Sequence, residues 1–426
     1  MNENLILKTL RIRPFSYLII SEFFSQFSMN LFNFALLIVV FSLANSNTAV
    51  SGVVIAFTVP SLFFGVLAGV LVDRWNKKSV LVWTNILRAI IVFPLAYFYK
   101  DLAIIYLATF GVSVITQFFI PAETPIIPTL VKKKFLLSAN ALFGMGIYAS
   151  IFLAYALSGP LLFLLGQKNI FTVLAASFLI AGFFASLIKV DKLRVEPMRQ
   201  KVNIESLSLK EELKTIVNLI SKTKALYHAL FSLTLAQVLI FVLAVVGPGY
   251  AESILKIKVE SFPLLFVTPA IIGVALGALI IGSFLHKVSR SALTKFGLFL
   301  MGISILLLPY GSKVESREIV QLMNFYLPHI LEINIIHIMV ILAFILGFAT
   351  AFIFIPANTI LQEETSDESR GKIYGVLNSL IGIASVVPVI LVGGLADILG
   401  VKYVITGVGV VVLMLAFIRT FITDRK

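Results

Sequence analysis

The chain has no cysteine among its 426 residues. Disulfides, thiolate catalysis and cysteine-based metal or iron–sulfur centres are therefore excluded. Histidine is almost as scarce, with His228, His286, His329 and His337 scattered along the sequence. His337, near the outer end of the tenth apolar run, reads as a packing residue rather than a titrating switch. No metal-ligand constellation, nucleophile–base pair or glycine-rich phosphate loop followed by lysine occurs, so neither catalysis nor ATP hydrolysis is expected, and no cofactor. Charge is the other shortage. Only 13% of residues are charged, against 59% hydrophobic and a mean hydropathy of +1.03. No soluble domain needs such a composition for its core, so the chain reads as a polytopic membrane protein.

A spanning helix needs about 20 apolar residues, and the short alternating segments of a membrane β-barrel are absent. Breaks at charged or turn-rich stretches leave twelve segments, an all-α membrane protein. The first six lie near 15–42, 49–72, 79–99, 102–128, 137–165 and 169–188, and the second six near 225–249, 261–285, 292–310, 333–357, 371–396 and 401–421. The first run is too long for a removed signal peptide. With the N-terminus inside, 26 of the 34 lysines and arginines fall in inner segments. Positive loops stay in the cytoplasm, so both termini are expected there. The same asymmetry accounts for the formal charge of +13 without any nucleic-acid partner.

One segment occurs twice. Phe119-Ile120-Pro121-Ala122-Glu123-Thr124 returns 235 residues later as Phe354-Ile355-Pro356-Ala357-Asn358-Thr359, and Gly159 and Gly394 keep that offset. Duplicated halves are a sign of secondary transporters, in which two similar bundles expose a central site to either side in turn. The expected organisation is a six-helix bundle over 1–188, a cytoplasmic linker over 189–224 and a second bundle over 225–426. Within the linker Leu209, Leu213, Ile216, Val217 and Ile220 recur at helical spacing, which predicts an amphipathic helix, either a tether or a docking site. The outer break at 311–332 reads as a variable loop or a partial lid.

Between the second and third segments stand Gly65, Gly69, Asp73, Arg74, Asn76, Lys77 and Lys78. In spacing they resemble the signature loop of the major facilitator superfamily, with Asn76 where a glycine is usual. Asparagine is the next best residue for a left-handed turn. The glycines form a small-xxx-small face suited to close helix packing. By resemblance, Asp73 is a latch that engages the start of the eleventh helix around Arg370, Gly371 and Lys372 in one conformation only. Gly273 and Gly277 repeat the packing glycines in the second half, where His286, Lys287 and Arg290 follow without an aspartate.

The first Pro-Ala segment, continued through Pro128, Leu130, Val131, Leu136, Ala139 and Asn140, is similar to the subgroup containing macrolide efflux proteins, the enterobactin exporter and the lysophospholipid transporter. Gly146, Gly159 and Pro160 resemble the antiporter motif of exporters. Tyr155 replaces a glycine there, and Phe163 and Leu164 replace a glycine pair. The resemblance implies a monomer in the lipid bilayer, in the plasma membrane and for a bacterium the inner membrane.

Polar residues inside apolar segments are costly, so each one needs a reason. Glu22, Gln26, Asn30 and Asn33 follow one face of the first helix. In this superfamily helices one, four, seven and ten line the cavity, which adds Gln117 and Glu123 in the fourth and Ser232, Thr234 and Gln237 in the seventh. Glu22 and Glu123 are candidates for a proton or a cationic substrate, with proton coupling implied by the family. Either could instead form a fixed pair with Arg88, and Glu123 could snorkel to the inner surface. Phe23, Phe27, Phe34, Phe118 and Phe119 favour an adaptable apolar pocket over a sugar site.

The resulting expectation is a proton-coupled antiporter, exporting small amphipathic or hydrophobic molecules such as drugs, macrolides or siderophores by alternating access. A lysophospholipid transporter and a non-transporting sensor or scaffold are the alternatives. Topology is directly testable because every introduced thiol is unique. A membrane-impermeant maleimide should label Ser316→Cys in intact cells and Ser206→Cys only after lysis; labelling of Ser206→Cys in intact cells would reverse the orientation.

Overall fold

The computed structural model describes residues 5–123, 125–189, 223–285, 287–311, 334–365 and 367–423. Among them all regular secondary structure is helical. A lipid-facing backbone can satisfy its N–H and C=O groups only internally, and a helix does this within one segment. The first bundle comprises α1 (Arg13–Ala44), α2 (Asn47–Arg74), α3 (Lys77–Val92), α4 (Leu102–Glu123), α5 (136–165) and α6 (167–186). The second comprises α7 (Lys224–Tyr250), α8 (Thr268–Ser283), α9 (Arg290–Leu307), α10 (Ile335–Glu363), α11 (Asp367–Leu399) and α12 (Val401–Thr423).

Eleven helical stretches are long and apolar enough to cross a membrane, and one of them, Ser138–Ser186, is 49 residues long. Gly166, at φ +72°, breaks that stretch into α5 and α6. A side chain at this backbone angle would clash with its own carbonyl, so glycine sets the boundary. With that division the long helices among the described residues are α1 to α12, one for each apolar run. Two ends differ from expectation. The fourth segment stops at Glu123 rather than 128, because Pro125 and Pro128 supply no amide and only the short turn Ile127–Leu130 follows. The eighth begins as a wider π turn, Pro263–Val267, before α8 starts at Thr268. The linker helix at 209–220 and most of the 311–332 loop lie outside the described residues.

Asn76 does not adopt the left-handed turn expected of a glycine substitute. Its φ of −69° and ψ of 111° are extended, and its side chain accepts a hydrogen bond from the Ser79 amide. It is an N-cap, a position that asparagine fills better than glycine does. Lys77 Nζ, 2.5 Å from the Val72 carbonyl, ties the end of α2 to the start of α3.

The chain divides into two compact units, Met1–Val39 with Ile55–Glu211, and Val40–Val54 with Glu212–Lys426. In the first, Phe15, Leu18, Leu81, Phe119, Phe143 and Ala185 belong to one buried cluster. In the second, α8 and α10 meet backbone to backbone. A methyl group added at Gly347 would lie 1.8 Å from the Ala270 carbonyl oxygen, and one at Gly273 would lie 2.0 Å from that of Phe344. The packing expected of Gly273 is present. Gly65 and Gly69 behave differently: nothing lies within 4 Å of a methyl placed at Gly69, and only the Gln117 side chain, at 3.6 Å, approaches one at Gly65. Their lack of a side chain is not used for a close helix contact in this structure.

The tip of the α1–α2 hairpin groups with the second unit, and one carboxylate gathers most of its polar contacts. Asp397, in the last turn of α11, accepts hydrogen bonds from Ser46 Oγ (2.6 Å), the Asn47 amide (2.7 Å) and Asn47 Nδ2 (2.9 Å). It also accepts from the Thr48 amide (3.0 Å) and Thr48 Oγ1 (2.7 Å). These donors surround the N-terminus of α2, where free amides and the helix dipole both favour negative charge. One turn earlier Gly393 leaves room for the hairpin, and Ser51 Oγ donates to the Val389 carbonyl at 2.8 Å. Asp397→Ala should weaken this anchorage by about 1.5–3 kcal/mol, the usual range for hydrogen bonds to a charged group. Hydrogen exchange of purified protein in detergent should then accelerate over residues 46–54; unchanged exchange would mean that the apolar contacts alone hold the tip.

Candidate functional site

The polar face of α1 meets α3, α4, α5 and α6 within the first unit. Ser21 Oγ donates to the Ala181 carbonyl of α6 at 2.8 Å, fixing the rotation of α1 one residue before Glu22. Gln26 stands one turn further on, and its Nε2 donates to Glu22 Oε1 at 2.8 Å and reaches Glu123 Oε2 of α4 at 3.5 Å. The two carboxyls, from different helices, are thus brought to one amide donor. Glu22 is only 2% exposed. Asn30 continues the face, donating through Nδ2 to the Gln26 carbonyl at 2.8 Å. Tyr155 of α5 donates its hydroxyl to Asn30 Oδ1 at 3.2 Å and sets its ring edge-on to Phe34, with centroids 5.3 Å apart. Phe23 and Phe27 stack along the same helix.

Arg88 of α3 lies beside this pair and is 1% exposed. Its Nη1 donates to Ser25 Oγ at 3.0 Å, and that hydroxyl donates in turn to Asn85 Oδ1 at 2.9 Å. Asn85 is held by its own helix, Nδ2 donating to the Leu81 carbonyl. The guanidinium sits 4.4 Å above the centre of the Phe119 ring, with the Phe178 ring 5.8 Å away on α6. Its Nε and Nη2 have no hydrogen-bond partner. The fixed Arg88–carboxylate pair is thus not what forms: the nearest polar partner of Arg88 is a serine and its nearest large surface is an aromatic face. Glu123, half-buried at the last residue of α4, is reached from α1 by the Gln26 amide.

Other expected site residues fall elsewhere. Gln117 donates to the Ser113 carbonyl of its own helix at 3.4 Å, on the side of α4 that approaches Gly65 of α2. Asn33 Oδ1 is buried without a partner one turn beyond Asn30. Gln237 is half-buried on α7 in the second unit, where Ser232 accepts a hydrogen bond from Arg419 and donates to the His228 carbonyl. Gly146 has only Ile19 near it, Gly159 is buried and Pro160 lies within α5. Phe163 and Leu164, at the positions of the missing glycine pair, are 71% and 75% exposed and cover the surface of α5. Asp73 ends α2 and Arg370 lies in the first turns of α11, but their side chains are outside those described, as is the contact expected between them. Arg74 is exposed and Lys78 half-buried, and Trp75 stacks on Phe118 of α4 with centroids 5.9 Å apart.

Tyr155 and Asp397 were not singled out by sequence reasoning as polar anchors. A tyrosine in place of a motif glycine carried the signal for the first. The second offered only an acid close to a predicted helix end. Among the described residues no group of three or more histidine, aspartate or glutamate side chains could hold a metal ion.

The family model for the Major Facilitator Superfamily matches residues 18–320 and 319–426. Over 173 residues the chain is 34% identical to a Bacillus subtilis protein that carries the provisional name bacilysin exporter BacE, a match covering 39% of this chain and 41% of that relative. Macrolide efflux protein A of Streptococcus pyogenes is 21% identical over 374 residues, 86% of this chain and 85% of its own length. Among solved structures, a point mutant of the nucleoside transporter NupG superposes with a TM-score of 0.75 at 15% identity, covering 98% of this chain and all of that one. A bacterial homolog of the human lysosomal transporter Spinster gives 0.70 at 14% identity, with 97% of each chain covered. Eleven apolar helical stretches long enough to cross a membrane among the described residues, a duplicated Pro-Ala segment and a family match over most of the sequence lead to one assignment: the chain belongs to the Major Facilitator Superfamily of multi-pass membrane transporters.

Proposed function

We propose that this transporter exports small amphipathic or hydrophobic molecules in exchange for protons, by alternating access, and that Glu22 and Glu123 together form its proton site. The observation that carries the proposal is the Gln26 amide shared between two carboxyls of different helices, one buried and one half-buried. A carboxylate only accepts hydrogen bonds, so two carboxyls gathered at one amide donor are better matched when a proton is held between them. Two like charges at such a distance would repel strongly in a medium that screens them poorly, which favours retention of that proton. A change of access that admits water or a substrate cation next to the pair lowers that advantage and lets the proton leave.

The rings of Phe23, Phe27, Phe34 and Tyr155 on and beside the same face supply apolar surface for a substrate with few hydroxyl groups. The names of the macrolide and bacilysin relatives are in keeping with export of such compounds. The reading includes bundles over 1–188 and 225–426 joined by 189–224, a bacterial inner membrane, cytoplasmic termini and a monomer. It also keeps the latch of Asp73, with Gly65, Gly69, Arg74, Lys77 and Lys78, against Arg370.

The test is accumulation of a panel of fluorescent amphipathic dyes and macrolides in an efflux-deficient host. Cells with the wild-type chain should accumulate less, and an uncoupler should remove the difference. Initial efflux should slow as the outer medium is made more alkaline, since the driving proton enters from outside. Glu22→Gln with Glu123→Gln should reduce gradient-driven efflux by at least about tenfold, the effect of about 1.4 kcal/mol on a rate. Asp73→Asn should also impair it. Efflux by the double variant equal to wild type would exclude the pair as the proton site, and no effect of the chain on any compound would favour a lipid or a single natural substrate.

A further inference from the structure

The placement of Arg88 has a regularity that the carboxyl pair alone does not explain. Its two contacts each lie one helical turn from one of the carboxyls. Ser25, which takes Nη1, is three residues after Glu22 on α1, and Phe119, which lies under the guanidinium, is four residues before Glu123 on α4. Residues three and four apart share a helix face about 5 Å from each other along the axis. The guanidinium therefore stands one turn to the side of both acids. Its Nε and Nη2 edge is without a hydrogen-bond partner, in a side chain that is 1% exposed. That edge has the two parallel N–H groups that match a carboxylate.

We infer that Arg88 is a mobile counter-charge for the carboxyl pair: it rests on Phe119 and Ser25 while the pair holds its proton, and turns its free edge onto Glu22 or Glu123 when the proton leaves. The inference rests on the proton-site reading above and adds a positioning residue to it. In the resting arrangement the buried cation is compensated by the face of Phe119, the more distant Phe178 ring and one hydroxyl, which is weaker compensation than an ion pair. When the proton is lost the pair bears a further negative charge, and a rotation of the arginine side chain over one turn converts that charge into a bidentate pair. The proton and the guanidinium thus alternate as partners of the same oxygens. Arg88 remains protonated throughout, so the only proton transferred is that of the pair.

The charge on the pair is governed by few groups. Glu22 and Glu123 act on each other, and Arg88 acts on both. Elsewhere on these helices, α1 carries Arg13 and Tyr17, and α3 carries Lys77 and Lys78 in its first turn. α2 has Asp73 and Arg74 at its far end, and α4 has Tyr106 nearly five turns before Glu123. α5 contributes Tyr148, which is exposed, and Tyr155, whose hydroxyl is engaged by Asn30; α6 has no ionisable residue between 170 and 186.

The experiment needs no transported compound. Infrared difference spectra of the full chain in lipid, recorded across a pH titration, report the protonated carboxyl carbonyl band and the guanidinium stretching bands separately. Glu22→Gln with Glu123→Gln assigns the carboxyl band. In the wild type both sets of bands should change with one midpoint, and the guanidinium change should vanish in the double variant. Arg88→Gln should move the carboxyl midpoint to higher pH by about one unit, a tenfold gain in proton affinity, because the charge that stabilises the ionised pair is gone. Phe119→Leu should move it to lower pH, because the arginine loses its alternative resting place; this variant and the wild-type bands keep the test intact if Arg88→Gln does not fold. Guanidinium bands that stay constant while the carboxyls titrate, or a midpoint indifferent to both Arg88→Gln and Phe119→Leu, would overturn the counter-charge and leave the proton site standing. A carboxyl band that titrates unchanged in the double variant would overturn the proton site, and the counter-charge with it.

Discussion

A charge carried into the apolar part of a membrane protein has to be met by another charge, a dipole or an aromatic face, and this chain has few charges with which to do so. Arg88 shows how the requirement shapes the first unit. Its side chain requires Phe119 and Phe178 at ring-contact distance and Ser25 at hydrogen-bond distance, which brings α1, α4 and α6 against α3. Ser25 can serve only because Asn85, one turn before Arg88, accepts its proton. The same rotation of α1 carries Glu22 and Gln26 towards Glu123. The carboxyl pair and the arginine are accordingly parts of one packing solution.

The duplication of the Pro-Ala segment makes the asymmetry of this solution visible. At the place where the first copy has Glu123, the second has Asn358, which donates to the Phe354 carbonyl of its own helix and accepts from the Tyr374 hydroxyl. A neutral amide and a phenol satisfy each other there without any charge. The second unit instead keeps Asp397 near a helix end, against the first amides of α2. Both units use polar residues to join helices, but among the described residues only the first places two acids within reach of one donor.

Much of the fold was legible because membrane helices leave a strong signal. Each apolar run became one of the long helices α1 to α12 among the described residues, and the breaks at Gly166 and after Glu123 follow from the backbone chemistry of glycine and proline. The stripe from Glu22 to Asn30 was legible too, since helical spacing alone puts these residues on one face. Its partners were not, because nothing in the spacing of α1 tells which turn of α3 or α4 it meets. Arg88 could be seen as costly but not as lying over Phe119 rather than against a carboxylate. Asn76 was misread as a left-handed turn because a glycine and an N-cap can occupy the same place in a motif for different reasons. Gly65 and Gly69 share a spacing with Gly273 and Gly277, yet only the second pair is pressed against a neighbour.

That contact between α8 and α10 has a further consequence. Where Gly347 faces Ala270 and Gly273 faces Phe344, no side chain stands between the two backbones. Association of helices in lipid draws little on the hydrophobic effect, since lipid tails are as apolar as the side chains they would replace. At these bare-backbone positions dispersion and weak Cα–H···O contacts add to the apolar packing of Ile280 and Ile281 against Phe348, Ala351 and Phe352. The strength of such a seam is set mainly by shape. The α8–α10 pair should consequently persist through changes of lipid thickness, headgroup or detergent that loosen helices joined by long side chains, and could serve the second bundle as a rigid spine.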